Sequence, residues 1–215
     1  MRMIIVRHGE SEWNRIHRYQ GQLDAPLSAL GVRQAHALAE RLRHEQVAAF
    51  YTSPLQRCAH TLEIIAAFHE GVPIHRDEAL MEIHHGDWQG KFADEVVAQY
   101  GEGLEEWRQH PMRSQMPNGE SFSNVLRRTM AFKEQVLATH QHETKAVVVS
   151  THDVVIKMLI ADVLEMNMDC INRIWLTNGS VSMIDYREDM SYLATLSEWC
   201  HLGDMAVPYG GQKAL

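Results

Sequence analysis

Three short apolar runs stand out along the chain: Met3 to Val6, Val47 to Tyr51 and Ala146 to Val149. Each is continuous rather than alternating. A strand covered on both faces is apolar throughout, so these runs predict strands of a parallel sheet. Each ends on polar residues: Arg7-His8, then Thr52-Ser53-Pro54-Leu55-Gln56-Arg57, then Ser150-Thr151-His152-Asp153. Between the runs the apolar spacing becomes helical. Ser28 is placed to cap a helix reaching about Arg43, with Leu30, Ala35, Leu38, Ala39 and Leu42 turned inward. Ser53 and Pro54 form an N-cap and first-turn pair for a helix through about Phe68. Arg57 then falls in the opening turns, near the positive end of the helix dipole. A long helix is expected from Ser121 to His140, and another from Asp153 to about Leu164.

Strand–helix alternation predicts right-handed crossovers and a three-layer α/β/α fold with a mostly parallel central sheet. The chain ends differently. Ser180 to Tyr186 and Ser191 to Leu196 flank Arg187-Glu188-Asp189-Met190, which predicts an antiparallel hairpin at the sheet edge. Residues 83–120 lack a strand pattern and hold His84, His85, Gly86, Trp88, Gly90, Trp107, Pro111, Pro117 and Gly119. They form either a lid-like insert over the carboxyl edge or an ordinary surface excursion. Met81 is expected to fill core space, Met112 and Met116 to pack within the insert. The tail after Cys200, with Gly203, Pro208, Gly210 and Gly211, is expected to form no element of its own. Ile171, Ile174 and Trp175 have two open uses, a homodimer surface or buried packing.

At 215 residues the chain fits a single domain with a sizeable core. The formal net charge is −8, which argues against nucleic-acid and anionic-membrane surfaces. No stretch approaches the roughly 20 apolar residues of a membrane span. The chain enters a strand at once without a charged-then-apolar leader, so a cytoplasmic protein is expected. Cys58, Cys170 and Cys200 are odd in number and widely spaced, which fits free thiols better than disulfides or a zinc site. Of the 14 histidines, His36, His44, His60, His69, His140 and His142 fall in polar helical segments and read as solvated. No His-Glu-x-x-His and no Cys-x-x-Cys occurs, so no metal is expected.

The remaining polar residues converge. In open α/β sheets ligands bind at the carboxyl edge of the strands. There the chain places Arg7, His8, Arg57 and His152. Two guanidiniums can grip phosphate oxygens bidentately. An imidazole nitrogen aimed at phosphorus can attack in line and form a phosphohistidine, provided its other nitrogen is held by an acceptor. His152 could add charge to the equatorial oxygens. A leaving alkoxide needs a proton, and Glu82, following Ala79-Leu80-Met81, is the candidate donor. The arginines supply the positive charge, so neither metal nor cofactor is required. The chain has no Gly-x-Ser-x-Gly elbow and no Walker glycine run.

Val6-Arg7-His8-Gly9-Glu10-Ser11-Glu12-Trp13-Asn14 resembles the signature of the histidine phosphatase (phosphoglycerate mutase-like) superfamily. The likeness continues through Gln20-Gly21, Asp24-Ala25-Pro26-Leu27-Ser28, Gly31, Thr52 to Arg57, Glu82, Gly86-Asp87-Trp88-Gln89-Gly90, Gly119-Glu120-Ser121 and His152. The resemblance implies that His8 accepts the phosphoryl group, that Arg7, Arg57 and His152 form its pocket and that Glu82 is the proton donor. It also implies that Asn14, Gln20 and Gly21 line the phosphate or substrate pocket. There is one departure. The family often has Ser-His-Gly at the third strand end, where this chain has Thr151-His152-Asp153. An ionised Asp153 facing phosphate would repel it, so its side chain is expected to turn away and cap the following helix at Val154.

The chain looks shorter than the mutases of that superfamily, and its segment after Glu82 is similar to the phosphatase branch. Within the branch it resembles the metal-independent phosphoserine phosphatases of serine biosynthesis. On that resemblance His85 would meet a substrate carboxylate and His201 would help close an amino-acid pocket. The expected partner is a small phosphorylated metabolite. Three alternatives stay open: a broad phosphatase of sugar phosphates or phosphoglycerates, a phosphoglycerate mutase, and a non-catalytic phosphate-binding module.

Overall fold

The computed structural model describes residues 1–207. Its centre is a six-stranded sheet: β1 (Arg2–Arg7), β2 (Val47–Thr52), β3 (Ile74–Arg76), β4 (Ala146–Thr151), β5 (Val181–Asp185) and β6 (Tyr192–Glu198), in the order β3-β2-β4-β1-β5-β6. The first four strands run parallel, β5 runs antiparallel to β1, and β6 antiparallel to β5 at the edge. This is the mostly parallel α/β sheet with an antiparallel edge hairpin that the patterns predict.

The continuous apolar runs reflect two buried faces. Ile4, Val6, Phe50 and Val148 pack with Leu38, Leu42, Leu62 and Ile65. These come from α2 (Ala29–Leu42) and α3 (Gln56–Ala66) on one side. Met3, Ile5, Tyr51, Val147 and Val149 pack on the other with Phe132, Val136 and Leu159. These come from α5 (Phe122–Thr139) and α6 (Asp153–Val163). Full burial of a large apolar side chain stabilises by about 1.5–3 kcal/mol, and a one-residue slip would exchange the two faces. Register is therefore strongly specified.

Ser28 caps α2 by accepting from Gly31 N at 3.0 Å, and Ser121 caps α5 by accepting from Asn124 N at 3.2 Å. Within α2, Ala35, Leu38, Ala39 and Leu42 are buried as expected, and Leu30 is half-buried. The start of α3 differs from expectation. Its N-cap is Leu55, not Ser53, because the Ser53 hydroxyl is engaged by His152 at 2.9 Å. Asp24 supplies the cap from a distant loop, accepting from Gln56 N at 2.8 Å.

Residues 83–120 carry a 3-10 turn (Gly86–Trp88) and a helix, α4 (Ala93–Gln109), whose backbone breaks at Tyr100. Trp88, Val96, Leu104, Trp107 and Met116 anchor this insert in the α5/α6 core, while Met81 and Met112 are half-buried. Ile171 and Ile174 are buried in the same core, and Trp175 is half-buried. The tail is not structureless: Cys200–Met205 forms a 3-10 turn, tied to α2 by Gln34 Nε2 donating to Met205 O at 2.8 Å. Pro208, Gly210 and Gly211 lie outside the described residues. Two further elements left no clear pattern, the four-residue α1 (Glu12–Arg15) and the exposed strand β3. Among the described residues no helix is long and apolar enough to cross a membrane.

Candidate active site

The carboxyl ends of β1, β2 and β4 meet in the middle of the sheet. A close backbone approach locks the first of them. A Cβ on Gly9 would stand 2.5 Å from Gly31 O, and one on Gly31 would stand 2.0 Å from Glu10 O. Only glycines let the strand end and the start of α2 touch in this way. Gly9 N donates to Thr61 Oγ1 at 3.2 Å, and Thr61 Oγ1 donates to Arg57 O at 2.7 Å. The loop after β1 is thereby tied to α3.

His8 is almost wholly buried, and its Nδ1 lies 2.7 Å from Gly9 O. A carbonyl can only accept, so Nδ1 carries the proton and Nε2 carries the lone pair. Burial, followed by the charges of Arg57 and Arg7, holds the His8 pKa well below 6.5. The ring is thus a neutral imidazole with one nitrogen available as a nucleophile. His152 stands beside it, with ring centroids 5.1 Å apart. Its Nε2 lies 2.9 Å from Ser53 Oγ, and the buried Cys58 Sγ is 3.3 Å from the same nitrogen. Burial and the Arg57 charge also hold the His152 pKa well below 6.5. That modifies the expectation that His152 brings positive charge: it enters the site as a neutral hydrogen-bonding ring.

The positive charge comes from two buried guanidiniums. Arg57 donates to Gly21 O at 2.7 Å and to Leu23 O at 3.2 Å. Gly21 has φ +55°, and a Cβ there would sit 2.3 Å from Gln89 Oε1, so this loop needs glycine to reach Arg57. Arg7 donates to Leu176 O at 2.5 Å and lies 3.7 Å from Asp153 Oδ1. Asp153 does not act as the cap of α6. The N-cap is His152, and the Asp153 carboxylate is buried between Arg7 and Lys157, whose Nζ is 2.5 Å away. Two cations draw the side chain inward, where an isolated carboxylate would have been expelled.

Glu82 is buried and accepts from Ile83 N at 2.9 Å. Its pKa is raised by burial and next by Asp153, against the opposing pull of Ile83 N–H, Arg57 and Arg7. A carboxyl so placed favours its protonated form. The segment carrying it is held by Arg128, a residue the sequence patterns did not single out. Arg128 donates to the carbonyls of Ala79 at 2.7 Å and Glu82 at 3.2 Å, and to that of Met81. Its other face pairs with Glu120 at 2.9 and 3.0 Å. The carbonyl contacts span more than 40 residues of chain, beyond the reach of any local pattern.

The residues expected to line the substrate pocket divide. Asn14 is buried, but its Oδ1 closes a capping box with Ser11, accepting from Ser11 N at 3.1 Å. Gln20 accepts from Ser11 Oγ at 2.7 Å, and Gly21 sits against Arg57 as described. His85 is wholly buried, 5.3 Å from Tyr19 and stacked 6.3 Å from Trp88 in an aromatic cluster. His201 is tethered too, with Nε2 2.9 Å from Gly179 O and Nδ1 3.5 Å from Glu198 Oε1. Gly179 N in turn donates to the carbonyls of Arg7 and His8, so His201 braces the strand end from behind. Among the described residues no cluster of His, Cys, Asp or Glu suits a metal ion.

Residues 3–198 match the family described as the histidine phosphatase superfamily (branch 1). The chain belongs to that superfamily. This histidine phosphatase is 35% identical to phosphoserine phosphatase 1 of Hydrogenobacter thermophilus, over 96% of this chain and 97% of the relative. It is 31% identical to a probable phosphoglycerate mutase of Proteus mirabilis, again over 96% of this chain and 97% of the relative. Among solved structures, YhfR of Bacillus stearothermophilus matches with a TM-score of 0.87 at 32% identity, covering 94% of this chain and 98% of that one. The histidine phosphatase is accordingly an enzyme of the phosphatase class.

Proposed function

We propose that this histidine phosphatase hydrolyses phosphomonoesters through a phosphohistidine on His8, without a metal, and that its substrate is phosphoserine. The observation that carries the mechanism is the neutral His8 ring, its Nδ1–H donated to Gly9 O at 2.7 Å beside Arg7 and Arg57. Nε2 attacks phosphorus in line, and the P–O bond to the leaving oxygen breaks as the N–P bond forms. Arg7 and Arg57 hold the equatorial oxygens as they gain charge, with His152 adding a hydrogen bond. Glu82, whose pKa burial raises, gives its proton to the leaving alkoxide. It then takes a proton from water, which attacks the phosphohistidine and regenerates Nε2 with release of phosphate.

Support for phosphoserine is the 35% identical phosphoserine phosphatase, aligned over nearly both chains. The free thiols of Cys58, Cys170 and Cys200 are consistent with a reducing, cytoplasmic setting. The test is a steady-state panel in EDTA of phosphoserine, phosphothreonine, 3-phosphoglycerate and sugar phosphates. Turnover undiminished by the chelator, with kcat/KM for phosphoserine well above the rest, is expected. Comparable values across unrelated esters would reject the substrate, and phosphoryl exchange between phosphoglycerates would favour a mutase.

A further inference from the structure

Behind the pocket lies a buried charge cluster that the mechanism above does not use. Asp153, the first residue of α6, directs Oδ1 to Arg7 Nη1 at 3.7 Å, and Lys157, one turn on, brings Nζ to 2.5 Å from Oδ2. Arg7 and Asp153 are each 2% exposed and Lys157 is 3% exposed. A buried ion pair is seldom worth more to stability than apolar side chains of similar volume. Its location against Arg7 therefore needs another account.

We propose that Asp153 is a positioning residue that fixes the Arg7 guanidinium for phosphate, and that Lys157 is the counter-ion that keeps this pair from cancelling the pocket's positive charge. The sum is the argument. Asp153 alone would neutralise Arg7 and weaken its attraction for phosphate, whereas Arg7, Asp153 and Lys157 together carry one net positive charge. Arg7 Nη1 is held by a hydrogen bond to Leu176 O and by the ion pair with Asp153. A planar, directional donor gains most from such a hold when the oxygens move to their equatorial positions in the transition state. Asp153 also acts electrostatically on Glu82, as do Arg7 from β1 and Arg57 and Cys58 from α3, while Arg128 holds the Glu82 carbonyl. Its negative charge there favours the acid form of Glu82. The role rests on the phosphohistidine reading, but its test does not require turnover.

The probes are inorganic phosphate, tetrahedral, and orthovanadate, which adopts the trigonal-bipyramidal geometry of the transition state. Both are titrated into Asp153→Asn, Lys157→Met and the double variant, which keeps the cluster's net charge of one while removing Asp153 from Arg7. For Asp153→Asn, phosphate affinity is expected to hold or rise with the added positive charge, while the ratio of vanadate to phosphate affinity falls about 30-fold or more, as for loss of a transition-state contact. The alkaline limb of kcat moves to lower pH. Lys157→Met weakens both ligands in parallel, by about tenfold. The double variant regains phosphate affinity but not vanadate affinity, and it carries the comparison if Lys157→Met fails to fold. A wild-type ratio of vanadate to phosphate affinity in Asp153→Asn and the double variant, with an unmoved alkaline limb, overturns the proposal. Turnover surviving in His8→Ala would instead overturn the phosphohistidine reading and leave the affinity comparison standing.

Discussion

Burial acts in opposite directions on His8 and Glu82: it disfavours the imidazolium and favours the carboxylic acid. In the proposed mechanism one low-dielectric pocket thereby prepares a nucleophile and an acid together. His8→Ala should abolish turnover of every phosphate ester, measured as loss of both steady-state rate and acid-labile phosphoenzyme. Glu82→Gln should lower kcat by about 10²–10⁴-fold for alkyl phosphates. The loss should shrink for esters with good leaving groups such as p-nitrophenol, which need no proton. The pH profile follows with signs fixed. Activity rises through the His8 pKa as the ring becomes neutral, so the acid limb lies below 6.5. It falls as Glu82 ionises, at a pH above its ordinary 4.5, and Glu82→Gln should flatten that alkaline limb.

At the scale of elements, the site depends on loops clamped to helices. Arg128 on α5 grips three carbonyls of the segment that ends in Glu82 and is itself aligned by Glu120. Arg128→Leu should cut kcat by about tenfold or more with KM changed much less, since small displacements of a catalytic group are costly while phosphate binding stays with Arg7 and Arg57. A kinetic comparison across a substrate series would show the split, and an equal fall in kcat and rise in KM would refute it. Ser28 illustrates a purely structural role: it caps α2 and also donates to Glu10 Oε1 at 2.6 Å. Ser28→Ala should cost about 1 kcal/mol, read as a Tm lower by about 2–4 °C.

The whole molecule stores two neutral histidines where the unfolded chain would have titratable ones. His8 and His152 stay unprotonated in the fold well below pH 6.5, whereas the unfolded chain binds those protons as pH drops through that value. Stability must then fall with pH below about 6.5, by roughly 1 kcal/mol per pH unit for each ring. Glu82 works the other way. Its raised pKa lets the folded state hold a proton between that pKa and 4.5, which offsets part of the loss. Urea midpoints measured from pH 7 to pH 5 should decline, and His152→Gln should flatten the slope. A midpoint unchanged over that range would contradict the buried neutral state.

The sheet, its strand polarity and four of its helices were legible because their signals are local. Continuous apolar runs need two covering layers, and Ser28 and Ser121 cap helices within three residues of themselves. Arg7, His8, Arg57, Glu82 and His152 were legible as candidates because each follows, or stands near, a strand end. What the tertiary structure decided is everything carried by long-range contact. Asp24, not Ser53, caps α3, and Arg128 reaches back to Glu82. His85 and His201 are turned into the fold, where hydrogen bonding and aromatic packing outweigh exposure. Asp153 was expected to turn from the phosphate, whose negative charge would repel it, and to cap α6 at Val154. Lys157, lone in an apolar helix and one turn away, reverses that outcome. Charge at a buried point is a sum over all neighbours, and only the folded chain assembles the neighbours.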